Sequence, residues 1–251
     1  MGQPAAGPDR QKRTEDWRLV VSEGVGTALL LIAVVGSGIM GERLSDGNVA
    51  IALLANSIAT GAGLVVLILT FGPISGAHFN PAVSFAEATQ GGGISWPTAV
   101  RYVVAQVLGA FVGVAVADLM FDEPVFAASR HVRSGWPLTL GEFVATFGLL
   151  AVIWSCSRRR AAVVPFAVGA YITAAYWFTS STSFANPAVT LARAATDTFA
   201  GIRPADVPAF LVAQALGAAA ATTLFRWLVP ALPETAADVA VSHVSPSRHG
   251  V

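Results

Sequence analysis

Two asparagines, Asn80 and Asn186, have the type and spacing that point to chemistry, because each begins an Asn-Pro-Ala motif within an apolar stretch. Asparagine is a good helix N-cap and proline fits the first helical position, so each motif predicts the start of a helix. Inside a membrane the free N–H groups of such a start need a water-filled path or a protein partner. Two half-helices whose positive ends meet near the bilayer centre predict a pathway for neutral molecules that opposes cations.

The composition indicates an integral membrane protein. Hydrophobic residues make up 54% of the 251 residues and charged residues only 12%, whereas soluble domains are about 25% charged. The formal net charge of +0 argues against a nucleic-acid partner. One cysteine and four histidines without ligand spacing predict no metal site, and we expect no cofactor. The sequence offers no nucleophile–base pair or phosphate-binding loop, so we expect no enzyme.

Six segments are long and apolar enough to cross a bilayer, which takes roughly 20 residues. They are Leu19–Met40, Val49–Phe71, Thr98–Met120, Leu138–Cys156, Ala161–Ser180 and Ala205–Leu228. The segments that follow the motifs, Pro81–Gln90 and Pro187–Thr198, are too short to span and fit re-entrant half-helices. The predicted fold is an all-α membrane bundle. A polar N-terminal tail (1–16) and a disordered C-terminal tail (230–251) are expected to flank a channel domain (17–229).

The distribution of Lys and Arg predicts the orientation, because cytoplasmic loops carry an excess of these residues. With both termini in the cytoplasm, ten of the 15 Lys and Arg residues lie on the inner side. The run Arg158–Arg160 gives the strongest indication. We therefore expect a multi-pass protein of the cell inner (plasma) membrane with cytoplasmic N- and C-termini.

The two halves of the chain, about 17–120 and 138–229, repeat the same features. Glu23 and Glu142 each lie early in the first span of a half, and Gln106 and Gln214 each lie in the third span within Ala-Gln-x-Leu-Gly-Ala. Three spans per half is an odd number, so the second copy enters the membrane inverted. Inverted repeats with discontinuous helices place a binding or permeation site at their interface, near the midplane.

Together these features resemble the aquaporin (major intrinsic protein) family over about residues 17 to 229. The resemblance implies a right-handed bundle of six tilted helices and two half-helices, a homotetramer with one pore per protomer, and passive passage of small neutral solutes. The implied pore motifs are Asn80, Pro81, Ala82, Asn186, Pro187 and Ala188. Glu23 and Glu142 are expected to accept hydrogen bonds from the re-entrant loops, with proton coupling as the alternative. His78 is expected either to line or gate the pore or to pack beside the loop.

The chain departs from the water-selective members of that family at the outer filter, where they carry a His and an Arg. The matching positions here are Thr60, Ala174 (or Ala175), Ser183 or Phe184, and Val189. This set predicts a wider, less polar constriction that passes larger neutral solutes. Arg193 lies one turn beyond Val189; partial replacement of the missing charge is one interpretation of it, although it is expected to point from a different height, nearer the outer mouth. The segment from Phe184 to Ile202 resembles the bacterial branch associated with arsenic resistance, which implies arsenous acid and glycerol-like polyols as cargo.

Two other functions remain open at this level. A proton-coupled secondary transporter also uses inverted repeats and broken helices, and only Glu23 and Glu142 offer it a coupling carboxylate. A structural junction protein is the other alternative, as some family members resemble adhesion components. The charged residues before the fourth span, including Asp118, Arg130, His131 and Arg133, are expected to be solvated loop charges.

Overall fold

The structure is a computed structural model that describes the backbone of residues 8–90 and 93–229, with side chains from residue 16 onward. Within these ranges the chain forms eight α-helices. They are α1 (Pro8–Leu44), α2 (Val49–Ser75), α3 (Pro81–Ala88), α4 (Trp96–Met120), α5 (Trp136–Ser157), α6 (Val164–Phe178), α7 (Pro187–Arg193) and α8 (Val207–Leu228). Six of them carry apolar segments of 18 to 29 residues, long enough to cross a membrane. The prediction of six spans and two short helices is confirmed.

The helix boundaries differ from the predicted ones at several ends. Helix α1 begins at Pro8, so the backbone of residues 8–16, predicted to be a polar tail, is helical. A 3-10 turn at Ala161–Val163 precedes α6, and another at Pro204–Asp206 precedes α8. The predicted C-terminal tail, 230–251, lies outside the described residues.

The half-helices α3 and α7 start where their motifs predict. The Asn80 and Asn186 backbones are extended, and each side-chain oxygen accepts from the N–H two residues later, at 2.9 Å and 3.0 Å. These contacts are helix N-caps with proline in the first turn. Both helices end earlier than predicted. Beyond α7, the N–H of Ile202 donates to the carbonyl of Arg193 and folds the chain back.

The packing repeats between the two halves. Helix α1 packs against α2 and α4, while α5 packs in the same way against α6 and α8, and α2 against α6 joins the halves. Glycines permit the close crossings. A Cβ on Gly109 of α4 would collide with the carbonyl oxygen of Gly24 in α1, and one on Gly217 of α8 would lie 2.5 Å from the carbonyl oxygen of Phe143 in α5. Small residues at a crossing let membrane helices approach closely.

Candidate functional site

The two motif asparagines are joined to each other's loops. The Asn80 amide nitrogen donates to the carbonyl of Ala185 at 2.8 Å, and the Asn186 amide donates to the carbonyl of Phe79 at 2.7 Å. An amide nitrogen carries two hydrogens. Among the described residues each amide makes only this one bond. Its second hydrogen is therefore available to a molecule in the cavity that both asparagines line.

The loops that lead into α3 and α7 have an unusual backbone. Ala77, Phe79, Ser183 and Ala185 all adopt a left-handed conformation, with φ between 49° and 52°. L-residues with side chains rarely adopt this conformation, and it persists only where the surroundings enforce it. The four positions correspond in the two halves, so the same strained turn delivers both asparagines.

Buried glutamates hold these turns in place. Glu23 accepts from the N–H groups of His78 at 2.9 Å and Phe79 at 2.7 Å. Glu142 accepts from those of Phe184 at 2.8 Å and Ala185 at 2.9 Å. Both side chains are 0% exposed. Loop N–H groups that would otherwise lack partners inside the membrane are thereby satisfied.

A glutamine completes each of these networks. The Gln106 amide donates to Glu23 at 2.8 Å and to the Ser84 hydroxyl in α3 at 2.9 Å. The Gln214 amide donates to Glu142 at 2.6 Å and to the Thr190 hydroxyl in α7 at 2.8 Å. The third span of each half is thus tied to its glutamate and its half-helix. The carboxylates are fully engaged in this framework.

A cavity of about 910 Å³ runs past both asparagines. Most of its wall is apolar and comes from both halves of the bundle. These wall residues include Leu30, Val34, Leu64, Ile68, Leu149, Ile153, Val168 and Ile172. His78 lines it and shares a hydrogen bond of 3.0 Å between its Nδ1 and the Ser84 hydroxyl. An apolar wall with a few convergent donors is the usual form of a small-molecule site.

The filter positions divide into those that line this cavity and one that does not. Thr60, Ser183, Phe184 and Val189 all line it and are buried. Ala174 does not: its side chain is exposed on the far face of α6, and Ala175, the other candidate, is fully buried outside the lining. Tyr176 takes this place, and its hydroxyl lies 3.2 Å from that of Thr60. Assigning the filter position to Ala174 is therefore wrong. That assignment counted 12 residues back from Asn186, or 11 for a loop one residue shorter, whereas Tyr176 lies ten residues before it.

Two arginines are buried beside Phe184, namely Arg133, which was expected to be a solvated loop charge, and Arg193, which was expected near the outer mouth. The Arg193 guanidinium carbon lies 3.4 Å from the centre of the Phe184 ring, and that of Arg133 lies 5.0 Å from it. Arg193 is 2% exposed and lines the cavity. Burial lowers the pKa of Arg133, in the loop before α5, to about 10, so it stays charged at neutral pH. Asp118, another predicted loop charge, is also fully buried and accepts from Thr196 at 2.8 Å.

The loop before α5 is fixed to the loop after α7. Arg133 donates from Nε to the Gly201 carbonyl at 2.8 Å and from its backbone N–H to Asp206 at 2.8 Å. Asp197 accepts from the backbone N–H and side chain of Arg130, which hold the pKa of its carboxyl below the usual value. The two loops thus form one surface beside the end of the cavity that Arg193 lines, which is called the arginine end.

The family assignment is decided by a match along most of the chain, where the model of the major intrinsic protein family matches residues 10–183. The chain belongs to the major intrinsic protein family. The aquaglyceroporin AqpS of Rhizobium meliloti (strain 1021) is 55% identical over 217 residues, which are 86% of this chain and 92% of that protein. The probable aquaporin NIP7-1 of Arabidopsis thaliana is 39% identical over 118 residues, 44% of this chain and 42% of that protein.

A solved structure supports the same fold. The X-ray structure of the aquaglyceroporin from Plasmodium falciparum superposes with a TM-score of 0.66 at 21% identity, over 86% of this chain and 98% of that one. As a member of the major intrinsic protein family, the chain is a multi-pass membrane protein and a passive channel for small uncharged solutes. The candidate parts of its pathway are the cavity, the buried glutamates, and Asn80 and Asn186. Because each of these asparagines donates to the loop of the other half, the pair is called the crossed asparagines.

Proposed function

We propose that this channel passes water and neutral polyhydroxy solutes of glycerol size, including arsenous acid, while it excludes ions and protons. The observation that carries this proposal is the cavity beside Val189. Val189 is buried and lines the cavity at the position where water-selective members carry an arginine. An apolar side chain there leaves room for a carbon backbone. The printed name of the Rhizobium relative, an aquaglyceroporin, agrees with glycerol as one cargo.

The crossed asparagines supply the polar contacts of the pathway. Each has one amide hydrogen bound to the opposite loop and one available to a passing oxygen atom. A solute with several hydroxyl groups can accept from one asparagine as it leaves the other. The two half-helix N-termini add partial positive charge at this point, which disfavours cations and hydronium.

The roles of the surrounding residues follow from their contacts. Glu23 and Glu142 serve as scaffold for the pore loops, because each accepts two hydrogen bonds from loop N–H groups that would otherwise lack an acceptor inside the membrane. A proton-coupled transporter would need one of them to be released and to titrate during each cycle. His78 packs edge-on against Tyr102, with ring centres 5.5 Å apart, which favours a positioning role beside the loop.

The membrane setting is part of the proposal. The Lys and Arg distribution supports an inner (plasma) membrane protein with both termini in the cytoplasm. Assembly as a homotetramer follows the family pattern. Exposed apolar side chains along the spans, such as Leu108, Val112 and Leu216, would face lipid or a neighbouring protomer.

The test is solute-resolved flux in proteoliposomes that contain the purified full chain. Stopped-flow light scattering measures water and glycerol entry, and arsenous acid uptake is measured on the same preparation, with empty liposomes as the control. We expect all three to equilibrate without accumulation, at rates unaffected by an imposed proton gradient. Water flux without either larger solute would contradict the wide constriction. Uptake above equilibrium that collapses with the proton gradient would favour the transporter.

A further inference from the structure

The guanidinium of Arg193 lies in the cavity wall, where two contacts hold it. Its Nε donates to the carbonyl of Ala200, and its guanidinium carbon, Cζ, lies 3.4 Å from the centre of the Phe184 ring. These two contacts fix the head group in place. A stacked, weakly hydrated guanidinium is stable in such a position, where an ammonium group would be less so.

The two terminal nitrogens of Arg193, unlike its Nε, are not bound to the described part of the protein. Across the described residues they donate to no protein acceptor, and the side chain makes no ion pair with a carboxylate. The side chain is 2% exposed yet lines the cavity. The hydroxyl of Ser183, also a lining residue and 3% exposed, has no partner among the same residues. Buried polar atoms are normally satisfied, so the Ser183 hydroxyl calls for an explanation, such as a bound water or solute.

Arg133 provides a comparison at the same ring. Its guanidinium donates to the carbonyls of Gly201, Ser181 and Phe199 and to the Thr182 hydroxyl, at 2.8 to 3.4 Å. Its hydrogen-bonding capacity is therefore spent on the loops. Of the two arginines beside Phe184, Arg133 binds loop carbonyls, whereas the two terminal nitrogens of Arg193 have no protein acceptor among the described residues.

Position explains how Arg193 can serve the constriction. Val189 and Arg193 are four residues apart on α7, and side chains at that spacing lie on one face of a helix. Both line the same cavity. The guanidinium thus enters the pathway one turn further along the half-helix than the position where water-selective relatives carry it.

We propose that Arg193 supplies the fixed positive charge and the N–H donors of the outer constriction, and that with Ser183 it binds the hydroxyl groups of neutral polyhydroxy solutes. This proposal rests on the proposed function. Two parallel N–H groups match two neighbouring oxygen atoms of one solute. An unpaired charge in a narrow, partly apolar passage also repels cations strongly, because the surroundings screen it poorly.

The experiment compares Arg193→Met with Arg193→Lys and with Arg133→Met, all reconstituted as full chains in liposomes. Potassium leak is followed with a potential-sensitive dye, together with water and glycerol flux. For Arg193→Met we expect potassium leak to rise about tenfold or more and the ratio of glycerol to water flux to change. Arg193→Lys keeps the charge and should still exclude potassium. Arg133→Met should lower thermal stability while cation exclusion is retained.

The outcomes separate the two proposals. Wild-type protein that passes no glycerol would refute the proposed function, whatever the variants do. Glycerol flux in wild type with an unchanged leak and flux ratio in folded Arg193→Met would overturn the assignment of Arg193. If Arg193→Met does not fold, phenylglyoxal, which neutralises accessible arginine, is applied to wild type and to Arg193→Lys. A leak that appears in wild type only supports the assignment, and equal behaviour of the two proteins overturns it.

Discussion

The hydroxyl oxygens of Thr60 and Tyr176 lie 3.2 Å apart, and this hydrogen bond joins α2 to α6 across the two halves of the channel. Both residues line the cavity, so the bonded pair forms part of its wall. The sequence-based assignment placed Ala174 at this position, and an alanine has no hydroxyl that could make this contact. A tyrosine hydroxyl held in this way limits the size of a passing solute more than an alanine would.

Removing that hydroxyl should widen the passage. For Tyr176→Phe we expect glycerol flux to rise about twofold relative to water, and stability to fall by about 0.5–1.5 kcal/mol for one lost hydrogen bond. The matched control is Tyr171→Phe, whose hydroxyl donates to the Ala145 carbonyl at 3.0 Å outside the cavity lining. The control should lose similar stability with an unchanged flux ratio. Equal flux ratios in both variants would argue against a constriction at Tyr176.

The glutamate scaffold can be tested through assembly. Glu142→Ala leaves the N–H groups of Phe184 and Ala185 without their acceptor, at about 1–3 kcal/mol for each buried unpaired group. We expect a lower yield of folded protein and a lower Tm in detergent, with the same result for Glu23→Ala. Glu42→Ala, at an exposed position, is the control. Normal insertion together with loss of a proton-dependent flux would instead identify the glutamates as coupling groups.

At Val189, substitution by arginine should narrow the constriction. Val189→Arg adds a second guanidinium one turn from Arg193 on the same face of α7, and the two charges repel. Glycerol and arsenous acid flux should fall much more than water flux. Val189→Leu adds bulk without charge, so its smaller effect isolates the contribution of the charge. Flux measurements on liposomes give the ratio of glycerol to water flux and of arsenous acid to water flux for each variant. Undiminished glycerol flux in Val189→Arg would mean that the passage does not narrow at this residue.

The orientation can be tested by cysteine labelling on a Cys156→Ser background. His131→Cys lies in the loop between α4 and α5 and Arg159→Cys in the loop between α5 and α6, and both positions are exposed. A membrane-impermeant maleimide added to intact cells should label position 131 and not position 159. The reverse pattern would place the termini outside.

The two loops beside the arginine end should stay joined over a wide pH range. The bonds from Arg130 lower the pKa of Asp197. A lowered folded-state pKa contributes stability that is present above the unfolded value of about 3.9 and is lost as the pH falls through the folded value. Hydrogen exchange at Arg130 should therefore show constant protection from pH 8 to about pH 5. Asp197→Asn should reduce that protection, whereas Asp122→Asn, at an exposed position, should not.

Local sequence signals predicted the helices because they depend on neighbouring residues alone. The starts of α3 and α7 follow from an N-cap asparagine and a proline, and the spans follow from apolar length. Contacts made by the folded chain explain what was missed. The length of the loop before Asn186 cannot be derived from local patterns, so counting back to Ala174 selected an exposed face of α6. The burial of Arg133 and Arg193 depends on carbonyls of residues 199–201, which no local pattern reveals.

The exchanged hydrogen bonds of Asn80 and Asn186 also constrain how the protein is made. The acceptor for Asn80 is the carbonyl of Ala185, 105 residues later in the chain. At a synthesis rate of about 5–20 residues per second, α3 waits roughly 5–20 seconds before its partner leaves the ribosome. During that interval the first three spans hold a re-entrant loop that is supported by contacts within the first half alone, among them those of Glu23, Gln106 and Ser75. Each loop can reach its final conformation only once the second half has been inserted, so the pathway is completed in a single late step of biogenesis.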